Sequence, residues 1–307
     1  MNDHRSSGTS SNRRILLQRG AVAGGLAAVA AGGLRAAPAL SQDAEGRLKT
    51  VLDRGKLVVG TGSTNPPWHY EDENGQLIGM DIDMAKLLAR GLFDLTDDQL
   101  ANRDEWSKRV DLVVQAADAR IPNLESDKID VVCQFMTVTA ARARQVEFTI
   151  PYYREAVTLL LKKDSPYNSA KDFAGKKARI AILQNPTATA MVHNGVADAD
   201  VQVFDSVANS VLALDSGRVD ATAIDLSTAQ YKAKQAPDKY KVATDSWQPQ
   251  TYAFAVKPGD QRWLNWVDAC LHEYLVGLDF QYYQAAFKEN FGVELPPPPA
   301  GFPVEYK

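Results

Sequence analysis

Short apolar runs alternate along the chain with longer segments whose apolar residues recur every three or four positions. The short runs predict buried β-strands, and the recurring spacing, as at Ile82, Ala85, Leu88, Ala89 and Leu92, predicts helices that bury one face. Alternating strands and helices are typical of a mostly parallel sheet covered by helices, so the pattern predicts an α/β fold. The predicted strands cover residues 57–60, 110–114, 131–133, 157–161, 178–183, 221–224 and 251–257.

Local signals predict where several of these elements begin and end. Asn74-Gly75 predicts a tight hairpin turn, and Asp81 is a candidate N-cap for the helix that follows. Ser206 is a second candidate N-cap, and Gly217 is placed to end the same helix. The remaining predictions are helices over residues 263–275 and 280–290 and an exposed polar insertion over residues 94–109.

Two segments of the chain have nearly the same sequence. Residues 124–130 read LESDKID, and residues 214–220 read LDSGRVD. Each ends a predicted helix and leads into an apolar, strand-like run. One helix-then-strand unit used twice predicts two similar α/β lobes with a cleft between them, where small ligands usually bind. The alternative is chance, because helix–turn–strand junctions share a common composition.

The loops that follow the predicted strands are the candidate ligand-binding segments. In a parallel α/β sheet the ligand lies beyond the carboxyl ends of the strands. We therefore expect four loops to converge on one site: residues 61–67, 134–142, 184–187 and 225–227.

The N-terminal segment is typical of an export signal rather than of a folded domain. Arg13 and Arg14 precede an uncharged, Ala/Gly-rich run over residues 20–34, which is too short and too weakly apolar for a stable membrane-spanning helix. Small residues from Ala37 to Ser41 then offer cleavage sites. We expect residues 1–41 to be a signal peptide of the twin-arginine type that is removed; the alternative is an anchor that stays attached.

Removal of that segment would leave an acidic protein with two cysteines. The 307-residue chain has a net charge of −4, and residues 1–41 carry five Arg and one Asp, so residues 42–307 have a net charge of about −8. This charge argues against nucleic acid or an anionic membrane as a partner. An oxidising compartment would permit a disulfide between Cys133 and Cys270, and two buried thiols are the alternative.

Motifs of covalent or metal catalysis are missing from the sequence. There is no Gly-x-Ser-x-Gly elbow, and the dinucleotide-like start at Gly60 lacks its third glycine. The histidines show no metal-ligand spacing: they are His4, His69, His193 and His272. We therefore predict no catalytic residue, no metal and no cofactor, which favours binding over chemistry.

Four stretches are specific when taken in this order: residues 55–60 with Pro67-Trp68, residues 74–83, residues 120–152 and residues 217–225. Together they resemble the extracytoplasmic solute-binding proteins of bacterial amino-acid ABC importers, family 3. The resemblance covers nearly all of residues 50–292. It implies a monomer in the periplasm, not an enzyme, that binds a free amino acid and delivers it to ABC permease subunits in the inner membrane.

The resemblance implies the two-lobed periplasmic-binding-protein fold of type II, whose two crossover strands form a hinge. The crossovers should lie near residues 154–157 and 249–253. Lobe one would then comprise residues 42–153 plus 254–307, and lobe two residues 154–253.

The resemblance also implies ligand contacts. Family members hold the ligand's α-carboxylate with an arginine that matches Arg142, and a guanidinium suits this because it forms two parallel hydrogen bonds with a carboxylate. Thr137 matches a second ligand-bonding residue, and Thr187 would add its hydroxyl and backbone N–H at a helix start. Asp225 matches the acceptor of the α-ammonium; a helix N-cap is its alternative, and both roles could coexist.

Departures from the family pattern bear on the ligand's side chain. The position that reads charged side chains in relatives corresponds to Gly62, and the positions of stacking aromatics correspond to Asn65 and Ala117. These departures predict a neutral amino acid with a bulky side chain. Trp68 and Phe135 are candidate walls of the pocket, and core packing is the alternative for both.

An enzyme is the alternative function. A few proteins of this fold are periplasmic dehydratases that act on cyclohexadienyl amino acids such as arogenate. That reaction needs a general acid in the cleft, for which Asp118 and Glu155 are the candidates. A surface or hinge position is the alternative for both residues.

Overall fold

The computed structural model describes residues 46–184 and 187–301, and there it confirms the α/β pattern. The predicted export signal lies outside these residues. The strands are β1 (Leu57–Thr61), β2 (Thr64–Asn65), β3 (His69–Glu71), β4 (Leu77–Ile78), β5 (Val110–Val114), β6 (Val131–Thr137), β7 (Glu147–Phe148), β8 (Tyr153–Lys162), β9 (Arg179–Leu183), β10 (Asp200–Phe204), β11 (Ala221–Asp225), β12 (Tyr240–Val242) and β13 (Trp247–Val256). The helices are α1 (Arg47–Arg54), α2 (Met80–Phe93), α3 (Asp97–Ala101), α4 (Arg103–Trp106), α5 (Arg120–Glu125), α6 (Ala188–Gly195), α7 (Val207–Asp215), α8 (Leu226–Gln235), α9 (Gln261–Val276) and α10 (Phe280–Phe291). In these ranges no helix is long and apolar enough to cross a membrane.

The main sheet has two parallel parts joined by two long antiparallel strands. β1 runs parallel to β5 and β6, and β9 runs parallel to β10 and β11. Between the two parts, β8 and β13 pair antiparallel to each other and to their outer neighbours β11 and β6. The strand order is β10-β9-β11-β8-β13-β6-β1-β5. The prediction of parallel pairing is therefore confirmed on both sides and wrong for the two central strands.

The buried apolar side chains form separate clusters on the two sides of β8 and β13. One side is built around Trp68, α2, α9 and α10, with a smaller cluster under α5. The other side is built around β9, β11 and helices α6 to α8. Each side thus has its own hydrophobic interior, which supports the predicted lobes, whose boundaries remain a prediction.

The two repeated segments form the same structure. In each, a helix (α5 or α7) ends, and the closing aspartate precedes a strand (β6 or β11). Asp130 donates its N–H to Val58 O (2.8 Å) and accepts the Val58 N–H with its carboxylate (2.7 Å). Asp220 does the same with Arg179, both distances being 2.8 Å. The shared final Asp is therefore a clamp that fastens each strand to the first strand of its parallel set.

Loss of the buried clamp should lower stability strongly. The Asp130 side chain is 1% exposed and also forms ion pairs with Arg47 and Arg54. We expect Asp130→Ala to lower the free energy of unfolding by about 2–4 kcal/mol, because it leaves the hydrogen-bond donors around this buried carboxylate without an acceptor. Guanidinium denaturation measures this. Asp53→Ala, which breaks the exposed Lys49–Asp53 pair, is the control and should leave the midpoint nearly unchanged; equal effects of the two changes would refute the clamp.

Two local predictions are wrong. Gly79, not Asp81, is the N-cap of α2, and the Asp81 carboxylate is instead fully buried among side chains and one backbone N–H. The segment 94–109 is not simply an exposed insertion, because it contains α3 and α4, and Trp106 within it is buried. The predicted cap at Ser206 is confirmed, since its hydroxyl accepts the Asn209 N–H at 3.1 Å.

Cys133 and Cys270 are both buried free thiols. Burial raises the pKa of each thiol above its usual range. Of the two alternatives left open by the sequence, the structure thus has the pair of thiols rather than the disulfide.

Candidate functional site

A cavity of about 150 Å³ lies where the two parallel parts of the sheet meet β8 and β13. Its walls include residues from all four loops that the sequence predicts to converge: Asn65, Arg142, Gln184 and Asp225 are examples. Among the described residues that line it, the charged side chains are Arg120, Arg142 and Asp225.

Arg142 and Thr137 lie on one wall of this cavity. Thr137 is the last residue of β6, and Arg142 opens a short 3-10 helix after it. Arg142 Nη1 donates to the carbonyl oxygen of Thr137 at 2.9 Å, which orients the half-buried guanidinium. Burial lowers the pKa of Arg142 from its ordinary value, and the guanidinium stays charged near neutral pH. No carboxylate forms an ion pair with it in the described ranges, so an anion from outside would be favoured.

Asp225 lies on another wall and is connected to Thr137 through one amide. Gln250 of β13 accepts the Thr137 hydroxyl at 3.1 Å and donates its amide to Asp225 Oδ1 at 3.4 Å. Asp225 occupies the N-cap position of α8, but its side chain makes no capping hydrogen bond. Its carboxylate is therefore not used by the helix.

Burial controls the protonation of this acidic end. It raises the pKa of Asp225 to about 6. Burial also raises the pKa of Glu155, and the nearby Asp225 charge raises it further. The buried hydroxyl of Tyr252 lines the same cavity, and the Asp225 charge adds to burial in raising its pKa. These groups would be stabilised by a cationic or polar ligand group.

Phe135 forms an aromatic wall of the cavity, and both its backbone N–H and its carbonyl oxygen are hydrogen-bonded to side chains. The ring stacks on His69 and on Tyr252, with centroids 5.1 and 4.9 Å apart. Its N–H donates to Asp81 Oδ2 at 3.0 Å, and its carbonyl accepts from Arg120 at 2.8 Å. Phe135 therefore lines the cavity, at the place where the sequence predicts a wall residue.

The Asp81 carboxylate, which sequence reasoning assigned to a helix cap, is the centre of a buried network beside the cavity. It accepts from His69 Nδ1 at 2.7 Å and from the Tyr152 hydroxyl at 2.8 Å. His69 fills the space next to Gly62, where a Cβ would lie 2.4 Å from the imidazole. The absence of a side chain at Gly62 therefore makes room for His69 rather than for the ligand.

Trp68 does not line the cavity. It is fully buried in the apolar cluster, so core packing, the alternative left open by the sequence, applies. Its indole N–H donates to Ser227 Oγ at 2.9 Å. Thr187 occupies the N-cap position of α6 and is exposed. The described residues of β9, of the loop after it and of α6 that line the cavity are Ile182, Leu183, Gln184 and Met191.

Three residues on one side of α8 contact segments beyond the crossover strands. Ser227 meets Trp68, the Tyr231 ring lies 6.1 Å from the Tyr70 ring, and Lys234 lies against Gly292 at the C-terminus of α10. Their spacing of four and three residues places them along one helix face. We name Ser227, Tyr231 and Lys234 the α8 stripe.

The two candidate acids for an enzymatic reaction do not line the cavity. Asp118 is exposed in the loop before α5. Glu155 is buried in β8, where its carboxylate accepts hydrogen bonds from the Ser227 hydroxyl and from Ala156 N. In the ranges described, no group of three or more His, Cys, Asp or Glu could hold a metal ion.

Sequence reasoning missed several wall residues, among them Arg120, Gln250 and His69. Arg120 lies in the stretch 120–152 that contributes to the family resemblance, and Gln250 lies in the predicted second crossover. Arg120 and Gln250 gave no signal, because an arginine at the start of a helix and a glutamine in a strand are ordinary surface residues until the fold is known.

Comparison with known proteins places the chain among binding proteins. Residues 57–276 match the family model of bacterial extracellular solute-binding proteins, family 3. A glutamine-binding protein of Geobacillus stearothermophilus is 30% identical over 212 residues, which are 67% of this chain and 74% of that protein. An L-cystine-binding protein of Escherichia coli is 26% identical over 231 residues, 75% and 81% of the two chains.

Solved structures give the same result for the fold. An ancestral amino acid-binding protein, a precursor of cyclohexadienyl dehydratase, matches with a TM-score of 0.68 and 30% identity over 80% of this chain and 99% of that one. A cysteine-binding protein from Campylobacter jejuni matches with a TM-score of 0.66 and 27% identity, covering 80% and 93%.

Proposed function

This chain belongs to the bacterial extracellular solute-binding proteins of family 3, and from that premise we propose that it binds a free amino acid in the cavity and delivers it to an ABC permease. Its named relatives are solute-binding proteins and not enzymes. The fold is the two-lobed periplasmic-binding-protein fold of type II.

The observation that carries the proposal is that Arg142 and Asp225 line one cavity from opposite sides of β13. An amino acid has one carboxylate and one ammonium group. Arg142 would hold the carboxylate, with the Thr137 hydroxyl beside it, and Asp225 would hold the ammonium. A carboxylate at Arg142 gains charge-assisted hydrogen bonds, and an ammonium at Asp225 offsets the cost of burying that carboxylate. Thr187 would approach the carboxylate from the start of α6.

We take the transport cycle to be a hinge closure. Lobe one, residues 42–153 plus 254–307, would receive the ligand through Arg142. Lobe two, residues 154–253, would then close on it and add Asp225, as in other two-domain receptors. A ligand that contacts both lobes shifts the population toward the closed state, and the closed state would be the one presented to the permease.

The finer parts of the proposal concern specificity and location. We propose a neutral amino acid, since His69 and not a charged side chain fills the space beside Gly62. We also propose export by the twin-arginine route, removal of residues 1–41 and a monomer in the periplasm. The pattern of residues 13–41 supports the export route.

Thermal shift across the twenty amino acids tests the proposed function. At a ligand concentration of 100 times Kd, binding to the native state adds about 2.7 kcal/mol to the free energy of unfolding, so a binder raises Tm. We expect at least one amino acid to do so, with calorimetry giving its Kd. The N-acetyl and carboxamide derivatives of that amino acid are the controls and should fail, because each lacks one charge. If none of the twenty shifts Tm, or if the derivatives bind equally well, the proposal is wrong.

A further inference from the structure

The α8 stripe connects the two sides of the molecule at a place that the proposed ligand does not reach. Its three residues belong to the predicted lobe two, and the residues they contact belong to the predicted lobe one: Trp68, Tyr70 and Gly292. The described residues that line the cavity include neither the stripe nor these contacts. The stripe is therefore placed to act on the relative position of the lobes without touching an amino acid in the cavity.

Ser227 is the fully buried member of the stripe, and its hydroxyl bridges two side chains. The indole N–H of Trp68 can only donate, so Ser227 Oγ accepts it, at 2.9 Å. The hydroxyl then donates its single proton to the carboxylate of Glu155 in β8. This chain of hydrogen bonds has one direction, and it links the apolar cluster around Trp68 to α8 and to a crossover strand.

Glu155 also holds the beginning of α8. Its carboxylate accepts the backbone N–H of Ser227 at 3.4 Å in addition to the Ser227 hydroxyl. A carboxylate at the first N–H groups of a helix satisfies an unpaired donor and is favoured by the helix dipole. Glu155 thus caps α8 from the crossover strand, whereas Asp225, at the N-cap position itself, makes no capping hydrogen bond.

The other two contacts of the stripe lie further along α8. The Tyr231 ring lies 6.1 Å from the Tyr70 ring. Lys234 Nζ occupies the space that a Cβ on Gly292 would fill, and Gly292 is the C-cap of α10. A cation at the C-terminus of a helix is favoured by the helix dipole. The contacts therefore extend over about two turns of α8, and a hinge opening that separates α8 from lobe one would break all three.

We propose that the α8 stripe is a latch that stabilises the closed form and so sets the affinity for the ligand without setting its selectivity. The inference rests on the proposed amino-acid binding by hinge closure and adds what holds the lobes together outside the cavity. A contact made only in the closed form shifts the equilibrium between open and closed forms by the same factor for every ligand that closes the lobes. Its loss should therefore raise Kd equally for each of them, mainly through faster release.

Ser227→Ala removes the acceptor of the Trp68 N–H and a donor to Glu155. We expect calorimetry to show Kd raised at least ~5-fold, because the indole N–H is left in the closed form without a partner. Two ligands of different affinity from the thermal-shift screen should lose affinity by factors that agree within about 2-fold. Stopped-flow fluorescence should show the loss as faster dissociation.

Ser210→Ala is the matched control for this variant. Ser210 is also a fully buried serine of the predicted lobe two, and its hydroxyl donates to Val207 O within α7 at 2.8 Å. The control removes the same atoms from a buried site that makes no bond across the lobes. We expect Ser210→Ala to change Kd by less than about 2-fold.

Lys234→Met tests the latch at an exposed position, where the fold should persist. The change removes the cation from the C-terminus of α10 and keeps the apolar stem, so Kd should rise about 2- to 4-fold for both ligands. Lys171→Met removes the same charge from another exposed position of the predicted lobe two. This control should change Kd by less than about 1.5-fold.

Each result decides between the latch and the proposed function. Wild-type Kd values in Ser227→Ala and Lys234→Met overturn the latch and leave amino-acid binding intact. A change of more than about 3-fold in the ratio of the two Kd values also overturns it, because the stripe would then act on selectivity. If Ser227→Ala does not fold, the comparison of Lys234→Met with Lys171→Met decides. Failure of all twenty amino acids to bind the wild-type protein overturns the proposed function itself.

Discussion

Arg142→Ala is expected to weaken amino-acid binding by at least ~30-fold. The change removes a half-buried cation and leaves the ligand's carboxylate in the cavity without its bidentate partner. Truncating one partner of a buried hydrogen-bonded charge pair costs about 2–5 kcal/mol, which is about 30-fold to several thousand-fold in Kd. Calorimetry with the amino acid identified by the thermal-shift screen measures the loss.

Arg144→Ala is the matched control for this prediction. Arg144 lies two residues further along the same short 3-10 helix, is exposed and does not line the cavity. The control removes the same charge from the same segment, so long-range electrostatics change alike while the contact does not. We expect Arg144→Ala to bind within about 2-fold of the wild-type protein. Unchanged affinity in Arg142→Ala, with the fold intact, would falsify the assignment of the carboxylate.

Asp225→Asn is expected to have the second largest effect on ligand affinity, which it should lower. The same substitution should raise the stability of the ligand-free protein. Asparagine keeps the shape but cannot pair as an anion with an ammonium, so we expect a loss of about 30- to 1000-fold in affinity. In the ligand-free protein the same change removes a partly buried carboxylate, which should raise Tm at pH 7. Calorimetry and a thermal melt of the same sample test both. Asp238→Asn, an exposed acid just beyond α8, should change neither.

The pH dependence follows from the raised pKa of Asp225. The ordinary pKa of an Asp is about 3.9, and burial brings Asp225 to about 6, next to Glu155, Tyr153, Tyr252 and Gln250. Because the folded state favours the neutral acid, Asp225 costs stability above its unfolded pKa, and the ligand-free protein gains stability as pH falls from 7 to 5.

Ligand affinity should change in the opposite direction to stability. An ammonium binds the ionised form of Asp225, so affinity should be highest above about pH 7 and should fall as protonation increases below about pH 6. Asp225→Asn should flatten that part of the profile. A wild-type affinity that does not change between pH 7.5 and 5 would mean that this carboxylate does not receive the ammonium.

Local patterns predicted the elements well because each depends on neighbouring residues. The Ser206 cap, the turn at Gly75 and the helix stop at Gly217 need only a few adjacent side chains, and all three are present. The repeat also predicted one structural unit used twice. What it could not show is that the shared Asp clamps a strand whose sequence lies far from it.

Positions whose role depends on distant partners were not predictable in the same way. Asp81 has the residue type and place of a helix cap, and only the fold brings His69, Tyr152 and the Phe135 N–H to its carboxylate. The direction of β8 and β13 likewise depends on how two separate halves are joined. Arg120 and Gln250 became candidates only when the cavity placed them beside Arg142 and Asp225.

The α8 stripe lies outside the cavity wall, so substitutions in it would change how α8 contacts the other side of the crossover strands without changing the cavity lining. Asp225 directly precedes the helix that carries Ser227, Tyr231 and Lys234, so we expect any shift of α8 to move that carboxylate together with these outlying contacts. Homologues with identical cavities but different residues at these three sites can therefore hold the same nutrient with unequal strength. A set of such homologues would differ in affinity for the same amino acid, which would suit uptake at low and at high concentrations of that amino acid.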